Sequence, residues 1–223
     1  MDELTPSPTN YQDLVIRDGN LVGDWEGLYS SFEDPWHQSR LDHIFDTRRQ
    51  IAILNCIKLN SIYGNLKVLE LGCGFGFLTD RLRKIGFETL GIDISQTAIG
   101  KASAMHPLSN FEMQDYNNFG TYYRFNPDII IMAELTWYIL ESLEQYLLDL
   151  KKYAISRSKP TFLIHLLATY KQGTQKYGLE KFTNHEEILE YFGLSYLESG
   201  FIATQREDDK ESQGTFFVAE IKG

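Results

Sequence analysis

The sequence predicts an α/β fold, a doubly wound and mostly parallel sheet preceded by an N-terminal cap. Three observations lead there. From about residue 66, short apolar runs alternate with amphipathic stretches, the texture of repeated β-α units. The first of those runs leads into three alternate glycines, Gly72, Gly74 and Gly76, just before a helical stretch. The last two β-rich runs follow one another without a helix between them, which reads as an antiparallel pair at a sheet edge.

The predicted strands are 67–71, 89–94, 110–113, 128–132, 161–167, 196–203 and 215–221. Several are bare of polar residues, as expected of parallel strands covered on both faces. Phe77, Leu78, Leu82 and Ile85 stand at helical spacing, and Gly86 stops that helix. Ser95 is an N-cap for a helix running to Met105, and Asn184 for one over 186–192. The stretch 137–155 reads as one long amphipathic helix, which Pro160 cannot continue. The charged run 206–211 reads as a solvated hairpin loop. Upstream, 41–59 carries Ile44, Phe45, Ile51, Leu54 and Ile57 at helical spacing. Asp18-Gly19 between two apolar pairs marks a tight turn and a small hairpin. Residues 1–65 hold too little contiguous apolar sequence to fold alone; they are read as a cap over the open end of the sheet, with 66–223 as the main domain.

Composition bounds the function. The chain has 223 residues, with 21 Lys+Arg against 31 Asp+Glu, a formal charge of −10. That suits one large domain, and the acid excess argues against non-specific binding to nucleic acid or an anionic membrane. Two cysteines, Cys56 and Cys73, exclude a disulfide scaffold and a multi-thiolate zinc site, so no metal is expected. No apolar run is long enough to cross a membrane, and the first residues lack the marks of a signal peptide. A cytoplasmic protein without membrane insertion is the expectation; monomer and homodimer both remain open.

The segment from Val68 to Gly76 leaves a buried strand, turns through the glycines and enters a helix, which places a ligand crevice at the strand ends. A nicotinamide dinucleotide would want a small residue where Phe77 stands. Glu70, two residues before the first glycine, would repel a pyrophosphate and suits a cationic sulfonium, which favours S-adenosylmethionine. Asp93 ends the next strand, where an acid takes ribose hydroxyls, with Ile94 beside it. Asp115 follows the third strand and precedes Tyr116, a pair suited to the adenine amino group and ring.

With those residues in place, 66–222 resembles a class I S-adenosylmethionine-dependent methyltransferase. Glu70, Gly72, Cys73, Gly74 and Gly76 match the first family motif, Asp93 the second and Asp115 the third. The resemblance implies a seven-stranded sheet of order 3-2-1-4-5-7-6 with the seventh strand antiparallel. Gly23–Tyr29 and Asp34–Ser39 are similar to the entry segment of nodulation-type N-methyltransferases and of small bacterial enzymes of capsule and lipopolysaccharide biosynthesis. The resemblance implies methyl transfer to a small-molecule or surface-glycan precursor, with oxygen preferred to nitrogen and a phosphorylated group as one possibility.

Three groups are candidates for the chemistry. His37 lies in an Asp-Pro-Trp-His cluster, His165 near the end of the fifth predicted strand, and Glu134 at the end of the fourth. A histidine in an apolar strand is more often a hydrogen-bonded core residue, and only the strand-end position beside the crevice speaks for a functional one. Tyr29, Trp36, Tyr138 and Tyr177 are candidates for an acceptor pocket, since aromatic faces stack on sugars and attract a sulfonium. Lys171, Lys176 and Lys181 suggest a basic lid over an anionic acceptor, or equally a solvated loop that carries three lysines. A cofactor-binding partner protein without catalysis, and an NAD-dependent oxidoreductase opposed by Phe77 and Glu70, are the rival readings.

Overall fold

The computed structural model describes residues 10–41, 44–171, 173–205 and 211–222. A small hairpin opens the chain, β1 (Ile16–Arg17) and β2 (Asn20–Leu21), turning at Asp18-Gly19 as its sequence predicts. Two helices follow, α1 (Trp25–Ser31) and α2 (Ile44–Tyr63). The alternating region then gives β3 (Lys67–Leu71), α3 (Phe77–Lys84), β4 (Glu88–Asp93), α4 (Gln96–Met105), β5 (Phe111–Met113), α5 (Phe119–Phe125), β6 (Ile129–Ala133), α6 (Leu143–Ile155) and β7 (Phe162–Thr169). Helix α7 (His185–Phe192) and strands β8 (Ser195–Gln205) and β9 (Glu211–Glu220) close the chain.

Seven strands form one sheet in the order β5-β4-β3-β6-β7-β9-β8. Strands β3 to β7 run parallel, and β9 lies antiparallel between β7 and β8. This is the order 3-2-1-4-5-7-6 implied by the family resemblance. The pleat sends alternate residues to opposite faces. Val68, Ile129, Ile131 and Ile164 pack with Ala52, Cys56 and Leu59 of α2 and with Leu78 and Leu82 of α3. Leu69, Leu71, Ile130 and Met132 pack on the other face with Tyr146, Leu147 and Leu150 of α6 and with Ile188 and Phe192 of α7. Helix α2 is therefore a layer of the sheet, and the segment over the strand ends is the shorter stretch before it.

Two local readings are corrected. The long helix over 137–155 is two pieces: a 3₁₀ turn at Thr136–Tyr138, then α6 from Leu143. Buried Trp137 donates from Nε1 to the Ala168 carbonyl at 2.7 Å, which turns this stretch toward β7 and out of helical register. In α2, two of the large apolar residues at helical spacing face outward. Leu54 is 64% and Ile57 46% exposed, while Asp46, Arg48, Arg49 and Asn55 are buried. Hydrogen bonding explains the inversion: Arg81 Nη1 donates to Asp46 Oδ1 at 2.6 Å, and Asn55 donates to the Ile51 carbonyl at 3.0 Å. Helices α1 and α5 are seven residues each, too short to show a period, and both escape the sequence reading. The charged loop reading falls on 206–210, outside the described residues.

Asp128, just before β6, fastens the lower edge of the sheet. Its carboxylate accepts from the Lys67 amide at 2.9 Å and from Arg157 Nη2 at 2.5 Å, with both ionic side chains about 5% exposed or less. Removing one partner strands a buried charge. Asp128→Ala is expected to lower stability by about 3–5 kcal/mol, measured by urea unfolding.

Candidate active site

The glycine loop occupies the carboxyl end of β3, where the crossovers to β4 and β6 part and a doubly wound sheet opens a crevice. Asp93 organises it. Its Oδ2 accepts from the Gly74 amide at 2.9 Å and its Oδ1 from the Ser95 amide at 3.0 Å. Burial raises the pKa of this carboxyl, and those backbone donors oppose the shift. Gly74 has φ +54, and a Cβ there would lie 2.7 Å from both amide atoms of Gln38 and 3.0 Å from the Tyr29 hydroxyl. Any larger residue at 74 would thus collide with the protein itself before it met a ligand.

A cavity of about 240 Å³ lies over this floor. Gly72 and Asp93 line it below, Ile94 and Tyr116 on one flank, and Tyr29, Trp36 and Tyr138 above. Trp36 donates from Nε1 to the Tyr29 hydroxyl at 3.1 Å, which fixes part of that roof. Cys73, Gly74 and Gly76 shape the loop behind the cavity without lining it. Asp115 is not among the lining residues either; it accepts from the Asn117 amide at 3.2 Å and caps its own turn. Its neighbour Gln114 takes the wall position.

A smaller cavity of about 140 Å³ adjoins the first, sharing Trp36, Tyr138 and Glu134 with it. Two arginines and two carboxylates face it: Arg48, Arg49, Glu70 and Glu134. Arg48 donates from Nε to Glu134 Oε1, and the Ala168 amide donates to Glu134 Oε2 at 2.7 Å. Arg49 donates to the Gln38 carbonyl at 3.2 Å. Burial pushes the Glu70 carboxyl up to about 7, against a hydrogen bond from Thr79 and the charge of Arg49. The two arginines escape the sequence reading. Their signal was an Arg-Arg pair inside a helix otherwise rich in apolar residues.

A third cavity of about 470 Å³ lies across the Trp36–Tyr138 wall. Trp137, Tyr170 and Tyr177 line it, with Asp18 of the hairpin and Lys176 of the loop after β7. Tyr138 and Tyr177 line this third cavity together with Trp36, whereas Tyr29 lines the first. The three lysines do not converge. Lys176 faces this cavity, Lys171 faces a separate one beyond Tyr170, and Lys181 pairs with Glu144 at 3.3 Å. Gln172 of that loop lies outside the described residues.

The catalytic candidates separate. His165 is fully buried between Phe192 and Phe217, its Nε2 2.7 Å from the Thr136 hydroxyl, and desolvation lowers its pKa to about 3. It is a core residue, because at this position of β7 the pleat turns the side chain into the layer covered by α7. His37 is half-buried with φ +50 and lines none of the three cavities. Glu134 does reach the crevice, but its carboxylate is engaged by Arg48 and the Ala168 amide.

The family model for nodulation protein S (NodS) matches residues 29–152, which include the glycine loop, Asp93 and Glu134. The chain belongs to the NodS family. A structure of the NodS N-methyltransferase of Bradyrhizobium japonicum WM9 with S-adenosyl-L-homocysteine is 20% identical, covers 85% of this chain and 93% of its own, and superposes with a TM-score of 0.60. TehB of Haemophilus influenzae is 17% identical over 75% of this chain and 62% of its own, with a TM-score of 0.56. These likenesses establish a methyltransferase-type, Rossmann-like fold. A ubiquinone biosynthesis O-methyltransferase of Bradyrhizobium diazoefficiens is 30% identical over 111 residues, 46% of this chain. The matched part spans only 41% of that relative's length. Among the described residues of this NodS-family chain, no His/Cys/Asp/Glu group could hold a metal ion, and no helix is long and apolar enough to cross a membrane.

Glu70 supplies a pH test of this geometry. Its pKa is raised on folding, so the folded state holds an extra proton between about pH 4.5 and 7. Stability is therefore lost as pH rises through that window. Glu70→Gln is expected to flatten the loss, gaining on the wild type by roughly 3 kcal/mol between pH 5 and pH 8 in urea unfolding.

Proposed function

We propose that this NodS-family chain transfers the methyl group of S-adenosylmethionine to a small-molecule or glycan-precursor acceptor. One observation carries the reading: three cavities meet at Trp36 and Tyr138 directly over a glycine loop tied to Asp93. The first two cavities together enter the range of about 300–1,000 Å³ usual for ligand pockets. Their chemistry suits the cofactor. Each Asp93 oxygen already accepts one amide hydrogen and retains capacity for a second donor, which fits a ribose diol. Ile94 and Tyr116 offer apolar faces to an adenine ring, with Gln114 as its polar neighbour. The smaller cavity suits a zwitterion: Arg48 and Arg49 face a carboxylate, and Glu70 an ammonium group. The sulfonium supplies the activated methyl group when bound.

The residues between the cavities then set the reaction. Trp36 and Tyr138 present ring faces that attract a sulfonium and keep water from it. Tyr170 and Tyr177 provide stacking faces for a ring-bearing acceptor. Proximity supplies the acceleration, as in other in-line displacements. The engaged Glu134 and the core position of His165 favour an acceptor that brings its own lone pair, an amine reacting as its neutral base. The NodS structure being that of an N-methyltransferase supports the same side. A hydroxyl acceptor, as in the O-methyltransferase relative, would need a base, and His37 is the candidate left for it.

Two experiments test this. Asp93→Ala is expected to weaken S-adenosylhomocysteine binding by about 10–100-fold in calorimetry; an unchanged Kd would remove Asp93 from the site. Amine and hydroxyl acceptors offered with labelled S-adenosylmethionine are expected to divide, with transfer to amines only. His37→Asn should leave kcat within a few-fold of wild type, and the pH profile should follow the acceptor amine. Cofactor binding without transfer to any acceptor would point to the non-catalytic binding protein.

A further inference from the structure

We propose that Gln38 is a positioning residue that locks the glycine loop and the roof of the crevice into one arrangement, so that cofactor capture and roof closure are a single event. This rests on the S-adenosylmethionine reading of the site.

The argument begins with the side-chain amide. Gln38 Oε1 accepts from the Phe75 amide at 2.7 Å, and Nε2 donates to the Cys73 carbonyl at 3.4 Å. The pair brackets Gly74 as a neighbouring peptide group would, and Gly74 alone leaves the space for it. The main chain of Gln38 is held just as firmly. Its amide donates to Asp34 Oδ1 at 2.7 Å, and its carbonyl accepts from Arg49 Nη1 at 3.2 Å. Asp34 also takes the Ser39 amide at 3.0 Å and the Ser39 hydroxyl at 2.6 Å. One residue thus connects the 34–39 turn, helix α2 and the loop beneath the cofactor cavity.

The other end of the roof is tied by different groups. Glu26 of α1 accepts from the Ser95 hydroxyl at 2.7 Å and from the Thr97 hydroxyl, at the start of α4. Lys101 of α4 donates to the Tyr29 carbonyl at 2.6 Å. Tyr29 and Trp36, which cover the cavity, lie between these two attachments. The apolar cluster beneath them is small, with Tyr29, Phe75 and Ala98 buried and Trp36 and Phe77 at its border. Few buried apolar contacts and mostly polar ties describe a segment that opens at low free energy. A ligand seated under this roof contacts the loop on which Gln38 anchors it, so the order of the roof and of the loop is shared. Cofactor affinity is then sensitive to an amide that need not touch the cofactor.

The test compares Gln38→Met, which keeps the length and loses both hydrogen bonds, with Gln38→Glu. The glutamate still accepts from the Phe75 amide but opposes the Cys73 carbonyl. In the full-length protein, Gln38→Met is expected to bind S-adenosylhomocysteine about tenfold more weakly, through faster dissociation in stopped-flow tryptophan fluorescence. Gln38→Glu should fall between it and wild type. Ligand-induced protection of residues 24–39 from hydrogen exchange should be lost in Gln38→Met, with the thermal midpoint unchanged within a few degrees. Affinity within about twofold of wild type and intact protection would overturn the proposal. So would lost affinity accompanied by a collapsed midpoint in both variants, which would mark a merely structural residue. If wild type itself fails to bind S-adenosylhomocysteine, the cofactor reading falls first and takes this one with it.

Discussion

The site depends on one buried carboxylate. Asp93 ends β4 and takes the amides of Gly74 and Ser95, so a single side chain ties the turn leaving β3 to the turn entering α4. A buried charge is tolerable only when fixed donors replace the water it has lost. Here those donors are backbone groups at the switch point of the sheet, and their positions are set by strand pairing on both sides. The loop geometry follows from that. Gly74 turns an open face upward, Gln38 seats on it, and the aromatic roof is carried over Asp93 itself.

The two halves of the site are stabilised differently, and that difference has functional weight. Below the crevice, β3, β4 and β6 are covered on both faces by large apolar clusters. Above it, the roof has a minor apolar cluster and a set of hydrogen bonds to α2, α4 and the glycine loop. A rigid floor under a more weakly held cover is an arrangement in which, on the proposed reading, a ligand would exchange without disturbing the geometry that recognises it. Polar ties suit the purpose because they break into water at little net cost, whereas an apolar interface of the same size would resist opening.

The part of the molecule governed by period and turn chemistry was legible in the sequence. The predicted strands are all present, Ser95 and Asn184 cap their helices, and the glycine loop opens the crevice. What escaped depends on contacts between distant segments. The inner face of α2 is set by Arg48 and Arg49 meeting Glu134 and the Gln38 carbonyl, which no periodicity within the helix records. His165 illustrates the converse. Its apolar strand spoke for the core and its place near a strand end for catalysis, and the flanking Phe192 and Phe217 decide for the core. Asp115 and Gln114 are neighbours with opposite directions, so the acid conspicuous in the sequence turns into its own loop and the amide faces the cavity.

Glu134 shows how position and role can part. It has φ +61, a left-handed backbone that costs a non-glycine residue about 1–2 kcal/mol. Glycine would remove that strain, yet glycine could not accept from Arg48 of α2 and from the Ala168 amide near the end of β7. The carboxylate therefore offsets the strain it occupies by joining a helix and two strand ends at the rim of the crevice. Strain of this kind persists where the surroundings over-determine the residue. The same engagement that holds the rim withdraws the carboxylate from proton transfer, since both of its oxygens already accept hydrogen bonds that fix its orientation. On the proposed reading, a bound sulfonium would meet Asp93 and the ring faces of Trp36 and Tyr138, with Glu134 paired to Arg48 and Glu70 facing the same cavity as Arg49. The rim is built to hold shape, and the chemistry is left to the partners it brings together.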